Sequence, residues 1–213
     1  MKEKVFYAEA SYSDEEIQAV KKVLDENRLS LMDGPQVKLL EKKVSKIFNK
    51  NYGLMVNSGS SANLLGILSL NLPKGSKVIT PALTFSTTVF PIVQSGLIPY
   101  FVDVEKDTLQ INTKILKQID LDNVSAICVP NLVGNVANWE EIFNFARENN
   151  LKIIEDSADT IGYSFDTSLK NWSDLSTTSF YASHVITGAG FGGMVCFDDK
   201  NNYDLALSLR GWG

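Results

Sequence analysis

The chain of 213 residues contains a single histidine, His184, whose surroundings suit proton transfer. Ser179 lies five residues before it, and four glycines follow within ten residues. An imidazole exchanges protons near neutral pH, and glycines let the backbone approach a ligand closely. A hydrogen-bonded histidine in a tight turn is the commoner role of such a residue. This segment alone therefore leaves a catalytic and a structural role open.

The elements around His184 are typical of an α/β protein. Apolar segments that lack strict alternation follow one another from Tyr52 to Asp156, with helical patterns between them. Such segments favour a mostly parallel sheet covered by helices on both faces, a three-layer αβα arrangement. Ligands of these sheets bind at the carboxyl ends of the strands. Asn57, Asp156 and Ser179 fall at predicted strand ends, and we expect them to converge there.

The individual elements follow from periodicity, capping residues and turn residues. We expect an extended arm over Met1 to Tyr12, a helix that starts at Ser13, and a helix within 81–91 that carries Phe85. The remaining predicted helices are Val37 to Phe48, Ser58 to Leu70 and Trp139 to Glu148. The predicted strands are Tyr52 to Asn57, Lys77 to Thr80, Leu97 to Val102, Ala126 to Pro130, Leu151 to Glu155, Leu175 to Tyr181 and Met194 to Phe197.

The predicted helix after Tyr52 to Asn57 opens on small residues, Ser58-Gly59-Ser60-Ser61-Ala62. Free N–H groups and the helix dipole favour an anion at such a terminus. Gly59, Ser60 and Ser61 are therefore candidates for binding a phosphate group. Ordinary capping by Ser58 explains the segment equally well. It is not a Walker loop, because no Gly-Lys-Ser/Thr follows.

Three segments together resemble the DegT/DnrJ/EryC1/StrS family of pyridoxal-phosphate enzymes, which have the fold-type I architecture. They are 57–63, 153–159 and 179–184, the last of which reads Ser-Phe-Tyr-Ala-Ser-His. Family aminotransferases carry Ser-Phe-x-x-x-Lys there, and the lysine holds the cofactor as a Schiff base. Histidine at this place is typical of one branch, the nucleotide-activated 4-keto-6-deoxyhexose 3-dehydratases.

The resemblance implies roles around the histidine. Pyridoxal or pyridoxamine phosphate would bind without a covalent link, since imidazole cannot replace the lysine. His184 would take a proton from the cofactor while the C3 hydroxyl of the sugar leaves, and Ser183 would orient that hydroxyl. Ser179 would bind the phosphate together with Gly59, Ser60 and Ser61.

The resemblance also implies roles around the cofactor ring. Asp156 would pair with the pyridine nitrogen, and Phe85, in a match to Thr-Phe-x-x-Thr, would stack on the ring. Asp159 stands where many family aminotransferases have glutamine near the phenolic oxygen. The alternatives are that Asp156 caps the next segment and that Phe85 is a core residue.

Two fates of the sugar are known in this branch. CDP-sugar enzymes use an iron–sulfur cluster and a separate reductase, whereas GDP-sugar enzymes release ammonia and regenerate the amine from glutamate. Such clusters need four ligands, usually cysteines. Cys128 and Cys196 lie in separate apolar strands and are interpreted as buried, reduced thiols. A [2Fe–2S] cluster would therefore have to come from a missing C-terminal half.

The resemblance covers nearly all of this chain but only the first half of the family's length. The final Arg210-Gly211-Trp212-Gly213 matches an Arg-x-Trp-Gly sequence found near mid-chain in the family. We therefore expect one truncated large domain, with an arm and helices over 1–50 and a cofactor-binding sheet domain over 51–213. The small C-terminal domain would be missing.

Composition and charge limit the classes of molecule that the protein is expected to bind. Apolar residues make up 44% of the chain and the net charge is −5, with charges of both signs interleaved. No basic patch indicates nucleic acid, and no run of about 20 apolar residues indicates a membrane span. The N-terminus lacks the apolar core of a signal peptide, which favours a cytoplasmic location. The resemblance adds a nucleotide-sugar substrate of O-antigen or lipopolysaccharide synthesis and a homodimer.

Two other functions remain open at this point. The first is a sugar aminotransferase whose lysine lies elsewhere, although neither Lys170 nor Lys200 follows Ser179 at the required distance. The second is a catalytically inactive, truncated homologue that serves binding or assembly.

Overall fold

A computed structural model of the protein describes residues 4–6, 9–163 and 171–211. Seven strands in these residues form one sheet, in the order β1-β7-β6-β5-β4-β2-β3. The strands are β1 Tyr52–Val56, β2 Lys77–Pro81, β3 Ile98–Val102, β4 Val124–Pro130, β5 Lys152–Asp156, β6 Leu175–Ser179 and β7 Gly193–Phe197.

The sheet is mostly parallel, as predicted. β2 pairs in parallel with β3 and β4, and β5 pairs in parallel with β4 and β6. β7 runs antiparallel between β1 and β6, and its first residue, Gly193, lies opposite both Val56 and Ser179. The carboxyl ends of β1, β5 and β6 therefore lie at one edge of the sheet.

Helices cover both faces of the sheet. They are α1 Asp14–Glu26, α2 Pro35–Ile47, α3 Gly59–Ser69, α4 Ser86–Gln94, α5 Thr113–Leu116, α6 Trp139–Glu148 and α7 Lys200–Arg210, with a 3-10 turn at Leu132–Gly134. On one face, Ile67 of α3, Ile92 of α4 and Ala206 of α7 share a buried apolar cluster with strand residues such as Leu54 and Ile154.

The opposite face has two apolar clusters. One packs α5 and α6 against residues of the central strands, among them Ile127 and Ile153. The other packs Val44 of α2 against Met194 and Cys196 of β7. The three layers of the predicted αβα arrangement are therefore present.

The first helix is determined by its cap. The Ser13 side chain accepts a hydrogen bond from the N–H of Glu15, and the Glu16 side chain accepts one from the N–H of Ser13. Two backbone N–H groups at the start of the helix therefore have acceptors, as in a capping box. No residue of α1 is buried, and its apolar residues Ile17 and Val20 are about half exposed.

No helix in the described part of the chain is both long and apolar enough to cross a bilayer.

The helix predicted within 81–91 begins later than expected. Pro81 is the last residue of β2 and lies opposite Val102 of β3. The N–H of Ala82 then donates to the carbonyl oxygen of Val102 over 2.8 Å, which keeps the chain extended beyond the proline. Phe85 is the N-cap residue, and α4 starts at Ser86. Pairing with β3 overrides the local preference of proline for a helix start.

Candidate active site

The turn between β1 and α3 packs directly on the ends of β6 and β7. A Cβ atom added to Gly59 would lie 2.8 Å from Cβ of Ser179, and one added to Gly193 would lie 2.3 Å from the carbonyl group of Ser58. Neither approach leaves room for a side chain. The structure therefore brings Gly59 and Ser179, 120 positions apart in the numbering, into contact.

The start of α3 has the features of an anion-binding helix terminus. Ser58 is the N-cap, and its Oγ accepts from the N–H of Ser61 over 3.1 Å. The N–H groups of Gly59 and Ser60, in the first turn, have no acceptor within the helix. Ser60 is exposed, while Ser179 is 7% exposed and its Oγ accepts from the N–H of Tyr181. Gly59, Ser60 and Ser179 thus lie around one place at the sheet edge.

Asp156, at the end of β5, is a buried carboxylate. Its Oδ2 accepts hydrogen bonds from Asn63 Nδ2 and from Thr88 Oγ1, each over 2.8 Å, and its Oδ1 accepts from the N–H of Ala158 over 3.2 Å. Burial raises the pKa of Asp156, and these hydrogen bonds oppose that rise. No cationic side chain in the described ranges forms an ion pair with it.

Asn63 and Thr88 connect Asp156 to two helices. The amide of Asn63 also donates to the carbonyl of Thr87, and its oxygen accepts from Thr177 Oγ1 over 2.6 Å. Thr88 Oγ1 in turn accepts from Thr84 Oγ1 over 2.9 Å. The position of Asp156 is therefore fixed from α3, α4 and β6 at once.

His184 lies on the loop between β6 and β7. Its backbone N–H donates to the carbonyl of Tyr181 over 2.9 Å, and the two rings meet edge to face with centroids 5.8 Å apart. The side chain is 21% exposed, and Nε2 lies 3.6 Å from Oδ1 of Asp159. Nδ1 is buried, and no group within residues 4–6, 9–163 and 171–211 forms a hydrogen bond with it.

Asp159 reaches His184 from the loop after β5. Its second oxygen, Oδ2, accepts from the N–H of Val133 over 3.0 Å. Val133 has φ 51° and ψ 35°, in the left-handed region that β-branched residues rarely occupy. Asp159 therefore connects the histidine to the loop that follows β4.

Phe85 is 68% exposed, so the interpretation as a core residue is wrong. It stands at the start of α4, next to Thr84, and is thereby close in sequence to the Thr88 that contacts Asp156. An exposed ring at this edge of the sheet is free to contact a ligand.

The two cysteines are fully buried free thiols, as predicted. Burial raises the pKa of both. Cys128 in β4 belongs to the apolar cluster of one sheet face and Cys196 in β7 to that of the other, with β5 and β6 between them. They cannot ligate one metal centre together, and no cluster of potential metal ligands occurs in the part of the chain described.

One of the two lysines considered for a Schiff base, Lys200, is not at the site. Lys200 opens α7 after β7, and β7 starts at the site edge and runs away from it for about 16 Å. Lys170 lies outside the residues that the structure describes, as do Trp212 and Gly213 of the Arg-x-Trp-Gly match.

The sequence matches the model of the DegT/DnrJ/EryC1/StrS aminotransferase family over residues 10–213. The chain belongs to this family. Among curated members, the GDP-4-keto-6-deoxy-D-mannose 3-dehydratase of Escherichia coli O55:H7 is 35% identical over 214 residues, which cover 97% of this chain and 54% of the relative. The GDP-perosamine synthase of Escherichia coli O157:H7 is 32% identical over 204 residues, which cover 95% of this chain and 56% of the relative.

A solved structure agrees with the family assignment. An Escherichia coli GDP-4-keto-6-deoxy-D-mannose-3-dehydratase with bound hydrated PLP superposes with a TM-score of 0.88 at 34% identity, over 98% of this chain and 55% of that one. This likeness confirms the predicted large-domain fold of fold-type I. The chain spans about half the length of the curated relatives it matches.

For this DegT/DnrJ/EryC1/StrS family member, sequence reasoning missed Asn63 as a site residue. One signal for it was available, because Asn63 stands between Ala62 and the apolar pair Leu64 and Leu65 within a predicted helix. A buried amide needs partners, and the structure supplies them at Asp156 and Thr177.

Proposed function

We propose that the protein removes the C3 hydroxyl of a nucleotide-linked 4-keto-6-deoxyhexose with pyridoxal or pyridoxamine phosphate. The pathway would be deoxysugar synthesis for lipopolysaccharide or a similar polysaccharide. The observation that carries the proposal is His184 itself, which stands where family aminotransferases carry a lysine. It lies beside Asp159, and its buried Nδ1 has no hydrogen-bond partner among the described residues. The 3-dehydratase relative at 35% identity supports the same reaction.

The residues at the sheet edge fit this cofactor. A phosphate group would bind to the first N–H groups of α3, at Gly59 and Ser60, and to the side-chain hydroxyl groups of Ser61 and Ser179. Asp156 would hold the ring nitrogen. Because burial raises its pKa and no cation of the described residues pairs with it, a protonated ring nitrogen would relieve the cost of its ionisation. When bound, the cofactor supplies an amine for the keto group and an electron-accepting ring.

Asn63 and Thr88 would orient Asp156. Both donate to Oδ2, which leaves Oδ1 with the N–H of Ala158 as its one recorded partner in the described chain. Phe85 would cover the ring from the start of α4. These contacts hold the reacting groups in place, which lowers the entropic part of the barrier.

His184 would move the proton. Imidazole serves as a base and then as an acid near neutral pH, without forming a covalent link. Ser183, exposed and adjacent in sequence, would orient the leaving hydroxyl. The site lies on residues 51–213, which act as the cofactor-binding domain in this proposal.

Exposed apolar side chains around α4 are the proposed surface for assembly of the protein. Leu83, Phe85, Phe90 and Val93 expose 44%, 68%, 58% and 53% of their surface around α4, and a second copy of the chain is the partner proposed for them. The homodimer would work in the cytoplasm. A [2Fe–2S] cluster and reductase would require ligands other than the two cysteines, since these lie on opposite faces of the sheet.

A product assay tests the reaction. The protein would be incubated with pyridoxamine phosphate and, in turn, with GDP-, dTDP- and CDP-linked 4-keto-6-deoxyhexoses, and the sugars would be analysed by mass spectrometry. The expected product has lost one oxygen from C3, and His184→Asn, as the matched control, forms none. An amino sugar as product, or no product from a cofactor-loaded protein with any of the three, would contradict the proposal.

A further inference from the structure

Asp159 contacts a protein group with each of its two carboxylate oxygens. Oδ1 lies 3.6 Å from Nε2 of His184, and Oδ2 accepts from the N–H of Val133 over 3.0 Å. We infer that Asp159 is the positioning residue of His184: it holds the imidazole through Nε2, so that Nδ1 is the atom that accepts the proton. The inference rests on the proposed role of His184, and it replaces contact with the cofactor as the main role of Asp159.

The chemistry of the two side chains supports this pairing. An ionised carboxylate only accepts hydrogen bonds, so its partners must be donors. The N–H of Val133 is one donor, and Nε2–H of a neutral imidazole is the second. An imidazole that carries its proton on Nε2 keeps its lone pair on Nδ1. Nδ1 is the ring nitrogen that is buried and has no hydrogen-bond partner among the described residues.

The carboxylate is held in place independently of any ligand. Asn131, which begins the loop after β4, donates from Nδ2 to Ser157 Oγ over 2.8 Å, and its carbonyl accepts from Thr160 Oγ1 over 3.0 Å. These two bonds fix the turn on both sides of Asp159. Val133, in its left-handed conformation, then presents its N–H to Oδ2. The orientation of Oδ1 toward His184 follows from these contacts.

The histidine has less support on its own loop. Its backbone N–H donates to the carbonyl of Tyr181, and its ring meets the Tyr181 ring edge to face, a contact that does not fix the rotation of the imidazole as a hydrogen bond would. A separation of 3.6 Å is longer than a hydrogen bond. Catalytic hydrogen bonds are often long before the substrate binds and shorten in the reactive complex. Asp159 is therefore the group that selects the imidazole tautomer.

The test uses the fact that the chain has one histidine. Long-range ¹H–¹⁵N correlation spectra of the cofactor-free protein would contain one imidazole, and its ¹⁵N shifts report the tautomer at alkaline pH. Spectra would be compared for the wild type, Asp159→Ala and Asp103→Asn. Asp103 also accepts a backbone N–H, that of Val104, but lies beyond β3, four strands from β6.

We expect one tautomer, with the proton on Nε2, in the wild type and in Asp103→Asn, and a mixture in Asp159→Ala. Free imidazole already favours this tautomer, so the tautomer of the wild type alone does not test the role of Asp159. The comparison of tautomer ratios between the wild type and Asp159→Ala does. Proton on Nδ1 in the wild type, or the same tautomer ratio in Asp159→Ala, would overturn the inference. Should Asp159→Ala fail to fold, Asp159→Asn replaces it, because Asn has one acceptor oxygen in place of the two that face His184 and Val133 separately.

Kinetics add a second readout. Asp159→Ala should lower kcat by about 100-fold and leave KM within about threefold, since a positioned base acts on the chemical step and not on binding. A rise of KM at unchanged kcat would instead indicate a cofactor or substrate contact and would contradict the inference. Failure of the proposed function is a separate result: the spectra would still show the Asp159-dependent tautomer, but the product assay would yield an amino sugar or no product.

Discussion

Asn63 Nδ2 donates a hydrogen bond to Asp156 Oδ2 over 2.8 Å, although 93 residues separate the two in sequence. The bond joins the first helix after β1 to the end of β5. It places an amide donor, and not a cation, beside a buried carboxylate. The site is therefore built to keep Asp156 in place while its charge lacks a partner in the described protein.

Asp156→Asn is expected to lower affinity for pyridoxal phosphate by about tenfold to a hundredfold, the loss of one charge-assisted hydrogen bond of roughly 1.5–3 kcal/mol. Fluorescence titration with the cofactor measures it, with Asp103→Asn as the matched control. Unchanged affinity in Asp156→Asn would remove Asp156 from the cofactor site.

The same variant gives a pH-dependent effect on stability. Because burial raises the pKa of Asp156, the folded protein holds that proton more tightly than the unfolded chain. The free energy of unfolding of the cofactor-free wild type therefore falls as pH rises from the ordinary carboxyl pKa through the raised one. The Tm of the wild type minus the Tm of Asp156→Asn should therefore be smaller at about pH 8 than at about pH 4. A constant difference in Tm across this range would show that burial does not act on Asp156 as described.

Gly59→Ala is expected to separate the β1–α3 turn from β6. The new methyl group would lie 2.8 Å from Cβ of Ser179, and Ser179 cannot yield because it belongs to a paired strand. Overpacking of this kind costs about 1–3 kcal/mol. Urea unfolding measures the loss, and cofactor affinity should fall with it.

Gly211→Ala is the control for this change, since no atom of the described residues lies within 4 Å of the added Cβ. Equal stability of Gly59→Ala and the wild type would mean that the turn does not pack on Ser179.

Lys50→Met tests the far edge of the sheet. Lys50 Nζ is fully buried, lies 2.8 Å from Asp198 Oδ2, and also donates to Asn171 and to the carbonyl of Ser173. Removing Lys50 leaves its buried acceptors without a donor, which costs about 1–3 kcal/mol, while the Asp198 carboxylate is 32% exposed and remains partly solvated. The free energy of unfolding in urea should fall accordingly, while cofactor affinity should not change.

Lys200→Met is the matched control, because the Lys200–Asp204 pair is exposed. An equal loss of unfolding free energy in both variants would show that the burial of Lys50 does not determine its contribution to stability.

Sequence alone predicted the parts of the site that lie at strand ends. Asp156 and Ser179 fall at the ends of predicted strands, and the rule that ligands bind at the carboxyl ends of parallel strands brings them together. The start of α4 could not be predicted, because Pro81 favours a helix start locally and only pairing with Val102 of β3 shows otherwise.

Contacts made through loops were also beyond the sequence. The approach of Asp159 to His184 depends on loop backbone in the left-handed region, at Val133 with φ 51° and at Ala189 with φ 57°. Neither residue type favours that conformation, so no local sequence pattern predicts these backbone conformations. Asn63 could be suspected from its apolar surroundings, but its partners Asp156 and Thr177 could not be named.

We propose that His184 replaces a Schiff-base lysine and leaves the cofactor bound without a covalent link. The most direct measurement loads the protein with pyridoxal phosphate, reduces it with borohydride, removes free cofactor and records the intact mass, next to an absorbance spectrum of an unreduced sample. His184→Lys is treated in parallel as the positive control for adduct formation. We expect retained cofactor without an adduct in the wild type and a covalent adduct in His184→Lys. A stoichiometric adduct on one lysine of the wild type would contradict it and favour a sugar aminotransferase.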